Sequence, residues 1–368
     1  MVAMPSNALD YITIRGFKSI ASVDELALRP INVVIGSNGS GKSNFIGVFD
    51  FLNDILEGRL RDYVKNAGGA ERVLHFGSKT TEEIYLEFLL KERMYRYVLT
   101  LRPTADNGLH PAEENADAGD GTTLFLLVNQ GPEAGISDPG GLPEAQIVKD
   151  RLRSWRVYHL HDTSSGSPMR KAARVDDNRF LRPDGANLPA FLYYLREKHE
   201  ASYSMIVRTV QRVAPFFDDF RLDPMRLSPD DIKLEWRHKS SDQYFDVSSL
   251  SDGTLRFIAL ATLFLEPEEH RPSLILVDEP ELGLHPYAIE MLAALVRQVS
   301  VTTQVIVSTQ SSLLIDHFEP EDVLVADRVD GGTQLKRLQS PQLAKWLEDY
   351  SLGQLWEKNE LGGRPAPV

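Results

Sequence analysis

The sequence has 368 residues, of which 42% are hydrophobic and 25% charged, a balance that excludes disordered, collagenous and small disulfide-stapled chains. Against 40 Lys and Arg stand 53 Asp and Glu, and the net charge of −13 excludes nucleic-acid binding by bulk charge, so any such contact needs a local basic patch. The absence of cysteine excludes disulfides, thiolate metal sites and cysteine nucleophiles, and makes a cytoplasmic setting the expectation.

Residues 1–10 lack the basic start and apolar run of a signal peptide. The longest strongly apolar stretch, 257–265, falls short of the roughly 20 residues that cross a bilayer, so no membrane partner is expected. Residues 11–14 alternate as a strand, and 31–35 form a β-branched run that stops at Gly36, as a buried central strand would. From Lys42 to Leu56 apolar residues recur at helical spacing, with Glu57 and Gly58 as the stop. Residues 84–90, 94–101 and 123–128 read as antiparallel strands, and 103–122 and 130–145, rich in Pro, Gly and acids, as exposed loops. Two helices are predicted over 188–200 and 201–217, then strands at 232–236 and 244–247. No sustained heptads occur, so a long coiled-coil arm is not expected. The last third returns to α/β, with helix 253–265, strand 274–277, helix 286–300 and strand 304–308.

Gly36, Ser37, Asn38, Gly39, Ser40, Gly41, Lys42 and Ser43 fit G-x-x-x-x-G-K-[ST] between a predicted strand and a predicted helix, the context of a phosphate-binding loop; Asn44 follows inside the helix. Glycines let the backbone curl its N–H groups toward one anion, and the helix N-terminus adds partial positive charge. Lys42 would reach the β- and γ-phosphates and Ser43 would hold Mg²⁺, making ATP and Mg²⁺ the expected ligands. The apolar run 274–277 ends in Asp278 and Glu279. Asp278 is the candidate metal carboxylate and Glu279 the candidate base for the attacking water, with Glu281 next in line. Ser251 and Gly253 begin a helix, where they form an N-cap and also offer a hydroxyl and free N–H groups to a phosphate.

A glycine-rich loop, then Leu250-Ser-Asp-Gly253, then Asp278-Glu-Pro280, in this order, resembles the ABC-type ATPase heads of the SMC, RecF and OLD group. The segments 12–19 and 279–286 are similar to those of the AAA-named bacterial members, and 349–364 resembles stand-alone bacterial ATPases found beside small nuclease-like proteins. The resemblance covers nearly the whole chain. It implies an α/β P-loop NTPase of ABC-ATPase-head type, with a mixed central sheet, an antiparallel β subdomain and a short helical subdomain. Residues 1–368 would form one composite head, with lobes 1–185, 186–230 and 231–368. It further implies a head-to-head homodimer with two ATP molecules, each between the loop of one chain and Ser251 and Gly253 of the other.

Two departures stand out. Where the family commonly has a histidine, this chain has Gln310, which can sense a γ-phosphate or merely cap a turn but cannot titrate near neutral pH. The segment matched to the lid loop, 74–79, has no glutamine, and Ser78 is the candidate replacement. His159, His161 and Asp162 are read as a solvated strand face in preference to a metal site, and His285 as an interface or helix-start residue. Arg170, Lys171, Arg174, Arg179 and Arg182, interrupted by Asp176 and Asp177, form a solvated face or a DNA groove.

The expected function is an ATP-hydrolysing, dimerising switch in DNA repair or anti-phage defence. Only about 40 residues follow Asp327, so cleavage chemistry is expected from a separate nuclease partner. A nucleotide-gated scaffold with little turnover and the ATPase subunit of a transporter are the alternatives.

Overall fold

A computed structural model describes residues 8–90, 94–119, 125–126 and 131–363. Of the sequence readings above, residues 1–7, 120–124, 127–128, 130 and Arg364 lie outside the described residues.

A mixed six-stranded sheet runs in the order Gly332–Arg337, Val323–Val329, Ile31–Ile35, Gln304–Thr309, Leu274–Asp278, Trp155–Tyr158, parallel except at the Gly332–Arg337 edge. Its inner strands carry the buried apolar runs 33–35, 274–277, 305–307 and 323–326 because both faces are covered. Val34, Leu274, Leu276 and Ile306 point into one core, and Val33, Ile35, Ile275, Val277, Val305 and Val307 into another.

The first core lies between this sheet and an antiparallel one ordered Ile20–Ala27, Leu9–Phe17, Ile84–Leu90, Tyr95–Pro103, Leu109–Ala118, Phe125–Leu126. Helix Lys42–Leu56 fills the space between them, which is why Phe45, Phe49 and Phe51 are all buried, each contributing about 1.5–3 kcal/mol. The buried amide of Gln304 ties the sheets together, accepting from the Leu9 N–H and donating to the Leu9 and Arg29 carbonyls. The second core lies under helices Leu188–Lys198, Glu200–Val213, Asp252–Leu265 and Pro286–Val299.

The predicted loop over 103–122 contains the strand Leu109–Ala118. Its acids obscure it in the sequence, yet Glu114 is buried and accepts from the Tyr97 hydroxyl and the Gly135 and Ile136 N–H groups. Helix Pro143–Leu152 begins inside the second predicted loop, and strand Trp155–Tyr158 ends before His159, so His159 and His161 do not share a strand face. The second of the two central helices stops at Val213, and Phe217–Arg221 is a strand.

Candidate active site

The phosphate loop leaves the Ile31–Ile35 strand and closes into helix Lys42–Leu56. At Gly41, the helix N-cap with φ 104°, an added Cβ would stand 2.0 Å from Thr333 Oγ1. That threonine holds the loop from behind, donating to the Ser40 carbonyl at 2.9 Å and sharing a 2.7 Å hydrogen bond with Ser19. The Asn44 amide turns to the same network, donating to Ser19 Oγ at 2.6 Å. The Ser37 N–H donates to the Gly363 carbonyl at 2.8 Å, so the segment at Gly363 braces the loop from the side. Sequence reasoning had no signal for this contact.

Lys42 is only 5% exposed, and Nζ donates to the carbonyls of Gly36 at 2.7 Å and Ser37 at 3.1 Å. Burial pulls its pKa down, while the charges of Glu279, Asp278 and Glu281 hold it up. Those three acids reach the loop through strand register. Val34 pairs with Ser308 and Ser308 with Asp278, so the acid pair ends two strand spacings, about 10 Å, from the strand that feeds the loop. The Ser308 hydroxyl donates to Asp278.

Glu279 has φ 44°, an unusual left-handed backbone for a glutamate. Its N–H donates to the Ser308 carbonyl at 3.0 Å, and its Oε1 accepts from the Gln310 side chain at 2.5 Å. Gln310 therefore meets the candidate base directly. Glu281 sits behind them: Oε1 accepts from Thr309 Oγ1 at 2.5 Å and from the Gln310 N–H at 3.3 Å, while Oε2 is buried with no partner.

Burial pushes the Glu281 carboxyl up, and the hydrogen bonds from Thr309 and Gln310 and the charge of Glu279 modify that rise. A carboxyl whose folded pKa lies above its unfolded value, about 4.3, loses stability as pH rises through the folded value. Glu281→Gln keeps an acceptor for Thr309 and removes the buried charge. It should therefore stabilise the chain by about 1–3 kcal/mol at pH 8 and little at pH 4, as read by denaturant unfolding at both pH values. Equal effects at the two pH values would contradict the buried-charge account.

Ser251 caps helix Asp252–Leu265, its Oγ accepting from the Thr254 N–H at 3.2 Å, and it remains exposed. Gly253 has a packing reason of its own, since an added Cβ would stand 2.3 Å from the Gly283 carbonyl oxygen. Arg170 fixes this corner. It donates to the carbonyls of Thr163, Val247 and Leu250 and pairs with Asp252 at 2.7 Å, its side chain only 9% exposed. Arg174 pairs with Asp176 and Arg182 with Asp177. The basic stretch is thus an ion-paired surface with a buried anchor at Arg170.

The Ser78 hydroxyl and N–H both donate to Glu71. The histidine after Trp155–Tyr158, the strand beside the acid pair, takes a place that sequence reasoning missed. His159 Nε2 lies 3.2 Å from Asp50 on the loop helix, and that hydrogen bond holds its pKa above the ordinary histidine range. His285 caps Pro286–Val299, accepting from the Tyr287 N–H at 3.3 Å.

The donor set fits a nucleotide with a hard divalent ion. Lys42 meets only carbonyls, the Ser43 hydroxyl is exposed with no hydrogen bond among the described residues, and Asp278 and the orphaned Glu281 oxygen supply anionic oxygens.

This sheet order and this loop define a P-loop NTPase of the ABC-ATPase-head type. The chain belongs to the family described as "AAA domain, putative AbiEii toxin, Type IV TA system", which matches residues 31–316. It is 22% identical over 390 residues to the Old nuclease of Escherichia phage P2, an alignment covering 92% of this chain and 62% of that protein. With the chromosome partition protein Smc of Mycobacterium tuberculosis it shares 24% identity over 327 residues, covering 80% of this chain and 24% of that one. The chain thus spans less than two thirds of the length of these relatives. Among solved structures, an SMC head bound to the C-winged helix domain of ScpA superposes with a TM-score of 0.60 at 16% identity, covering 92% of this chain and 99% of that one. An Smc head with an extended coiled coil, bound to the C-terminal domain of ScpA from Pyrococcus furiosus, gives 0.58 at 16% identity, covering 93% and 99%. These likenesses establish the fold, and together with the family they make the chain an SMC/OLD-like ABC-type ATPase. No helix among the described residues is long and apolar enough to cross a membrane.

Proposed function

We propose that this chain binds and hydrolyses ATP as a head-to-head dimer and acts as a switch on a separate nuclease partner at DNA, in repair or anti-phage defence. One observation carries the reading: the strand register that sets Asp278 and Glu279 opposite the Lys42 loop. In this reading residues 36–44 cradle the phosphates and Lys42 neutralises them. Ser43 and Asp278 hold Mg²⁺, which when bound offsets phosphate charge. Glu279 takes the proton of the attacking water, and Gln310 orients Glu279. Ser251 and Gly253 meet the nucleotide of the other copy. The likeness to a nuclease in phage P2 and to a chromosome partition protein supports the coupling to DNA. Because the Gln310 amide already engages Glu279, a nucleotide-gated scaffold with slow turnover is the second reading.

Subunit mixing tests the dimer. Lys42→Ala lacks a working loop and Ser251→Arg places a bulky cation where the partner's phosphate would dock, so each alone should be inactive. A mixed dimer carries one site with both lesions and one with neither. Mixing should restore up to about half the parental nucleotide trapping per mixed dimer, and turnover too if the sites fire independently. No restoration, with both variants folded and subunit exchange demonstrated, would leave Ser251 a plain helix cap.

A further inference from the structure

Away from the nucleotide site, His199 occupies the corner between helices Leu188–Lys198 and Glu200–Val213. His270 ends the short turn Glu268–His270, which leads into the acid-pair strand Leu274–Asp278. Their Nε2 atoms are 3.3 Å apart, and the Tyr194 hydroxyl lies 3.2 Å from one and 3.1 Å from the other. We propose that Tyr194, His199 and His270, with Glu269 on the open side, bind a divalent transition ion of the Zn²⁺ class.

Proton counting and geometry both support an ion. Each Nε2 carries at most one hydrogen and the phenol carries one. If the phenol donates to one imidazole and accepts from the other, the single ring proton is engaged by the phenol oxygen and the single bare lone pair by the phenol O–H, so nothing is left to join the two ring nitrogens. At most two of the three contacts can then be full hydrogen bonds. An ion over the triangle satisfies all three atoms. Ligand atoms about 2.0 Å from a tetrahedral ion lie about 3.3 Å from one another, so edges of 3.1, 3.2 and 3.3 Å match one face of such a tetrahedron.

Glu269 is the fourth group. Its carboxylate lies 3.9 Å from His270 Nε2 and 3.7 Å from His199 Nδ1, and one ligand atom each from His199, Glu269 and His270 falls within a 4.8 Å cluster. Its side chain is 68% exposed, free to swing onto the fourth corner. Imidazole and oxygen donors without thiolate suit Zn²⁺ and its neighbours better than Mg²⁺ or Ca²⁺. The site also adjoins a cavity of about 560 Å³ whose walls carry Arg156, Arg179 and Arg271, so the open side faces a region suited to anions. A bound ion would staple the helical corner to the turn that feeds the acid-pair strand.

The test is Zn²⁺ titration against a chromophoric chelator, on the untagged full chain without nucleotide. The Asp278→Asn variant separates this ion from any held at the nucleotide site. The parent and Asp278→Asn should each bind one Zn²⁺ with a Kd of about 1 µM or tighter. His199→Gln and His270→Gln should lose it, and Glu269→Gln should weaken it by about 10–100-fold. Thermal unfolding without metal verifies that the variants are folded, and the Zn²⁺-dependent rise in midpoint should vanish in both histidine variants. A parent that binds no Zn²⁺, or a folded histidine variant that binds it as the parent does, overturns the proposal.

Discussion

Lys42→Ala is expected to weaken ATP binding by at least about 100-fold. The ammonium is nearly buried and faces the charges of Glu279, Asp278 and Glu281, so it is the cation on hand where those acids would otherwise repel the phosphates. Charge-assisted hydrogen bonds contribute about 1.5–3 kcal/mol each in such a setting, and in the proposed reading two phosphate groups would share this donor. Removing Nζ also leaves the Gly36 and Ser37 carbonyls without the donor they have now. A modest loss of thermal stability should accompany the loss of binding. Equilibrium binding of a fluorescent ATP analogue with Mg²⁺ reads the first effect and thermal unfolding the second. Parental affinity in a folded Lys42→Ala chain would remove the basis for the phosphate-loop assignment.

Glu279→Gln should leave binding intact and slow turnover by about 10²–10⁴-fold, the range expected when a positioned base is lost. The amide is nearly isosteric with the carboxylate, and its oxygen can still accept from Gln310, which now donates to Oε1 at 2.5 Å. What it cannot do is take a proton from water. The ATP-bound dimer should accumulate, visible as a nucleotide-dependent shift in size-exclusion chromatography. The same comparison separates the two readings of function: a parent whose turnover is already as slow as the variant's is a scaffold. A variant at a substantial parental rate would move the base to another group, with Glu281 beside it as the next choice.

Much of the site is legible because its signals are local. The bounds 42–56 and 31–35 follow from apolar period and glycine punctuation, and both agree with the structure. Two acids after an apolar run, and a serine at a helix start, are likewise readable from neighbouring residues. Where local composition and long-range packing disagree, the reading fails. Residues 109–118 look like a loop because they carry His, Pro, Glu, Asn and Asp, yet Glu114 is satisfied by groups 17 to 22 positions away. The Arg170 stretch looks like a charged surface, yet Arg170 is spent on carbonyls around the 247–252 turn.

By itself the sequence determined the phosphate loop, its helix, the acid pair and the α/β class, because period, glycine placement and capping act over a few residues. Only the tertiary structure decided which distant groups meet. It put Gln310 on Glu279, Thr309 on Glu281, His159 on Asp50, Gly363 on the loop amide, and Tyr194 between two histidines 71 positions apart. These pairings depend on strand order and register, which closes contacts across the chain that no local pattern encodes.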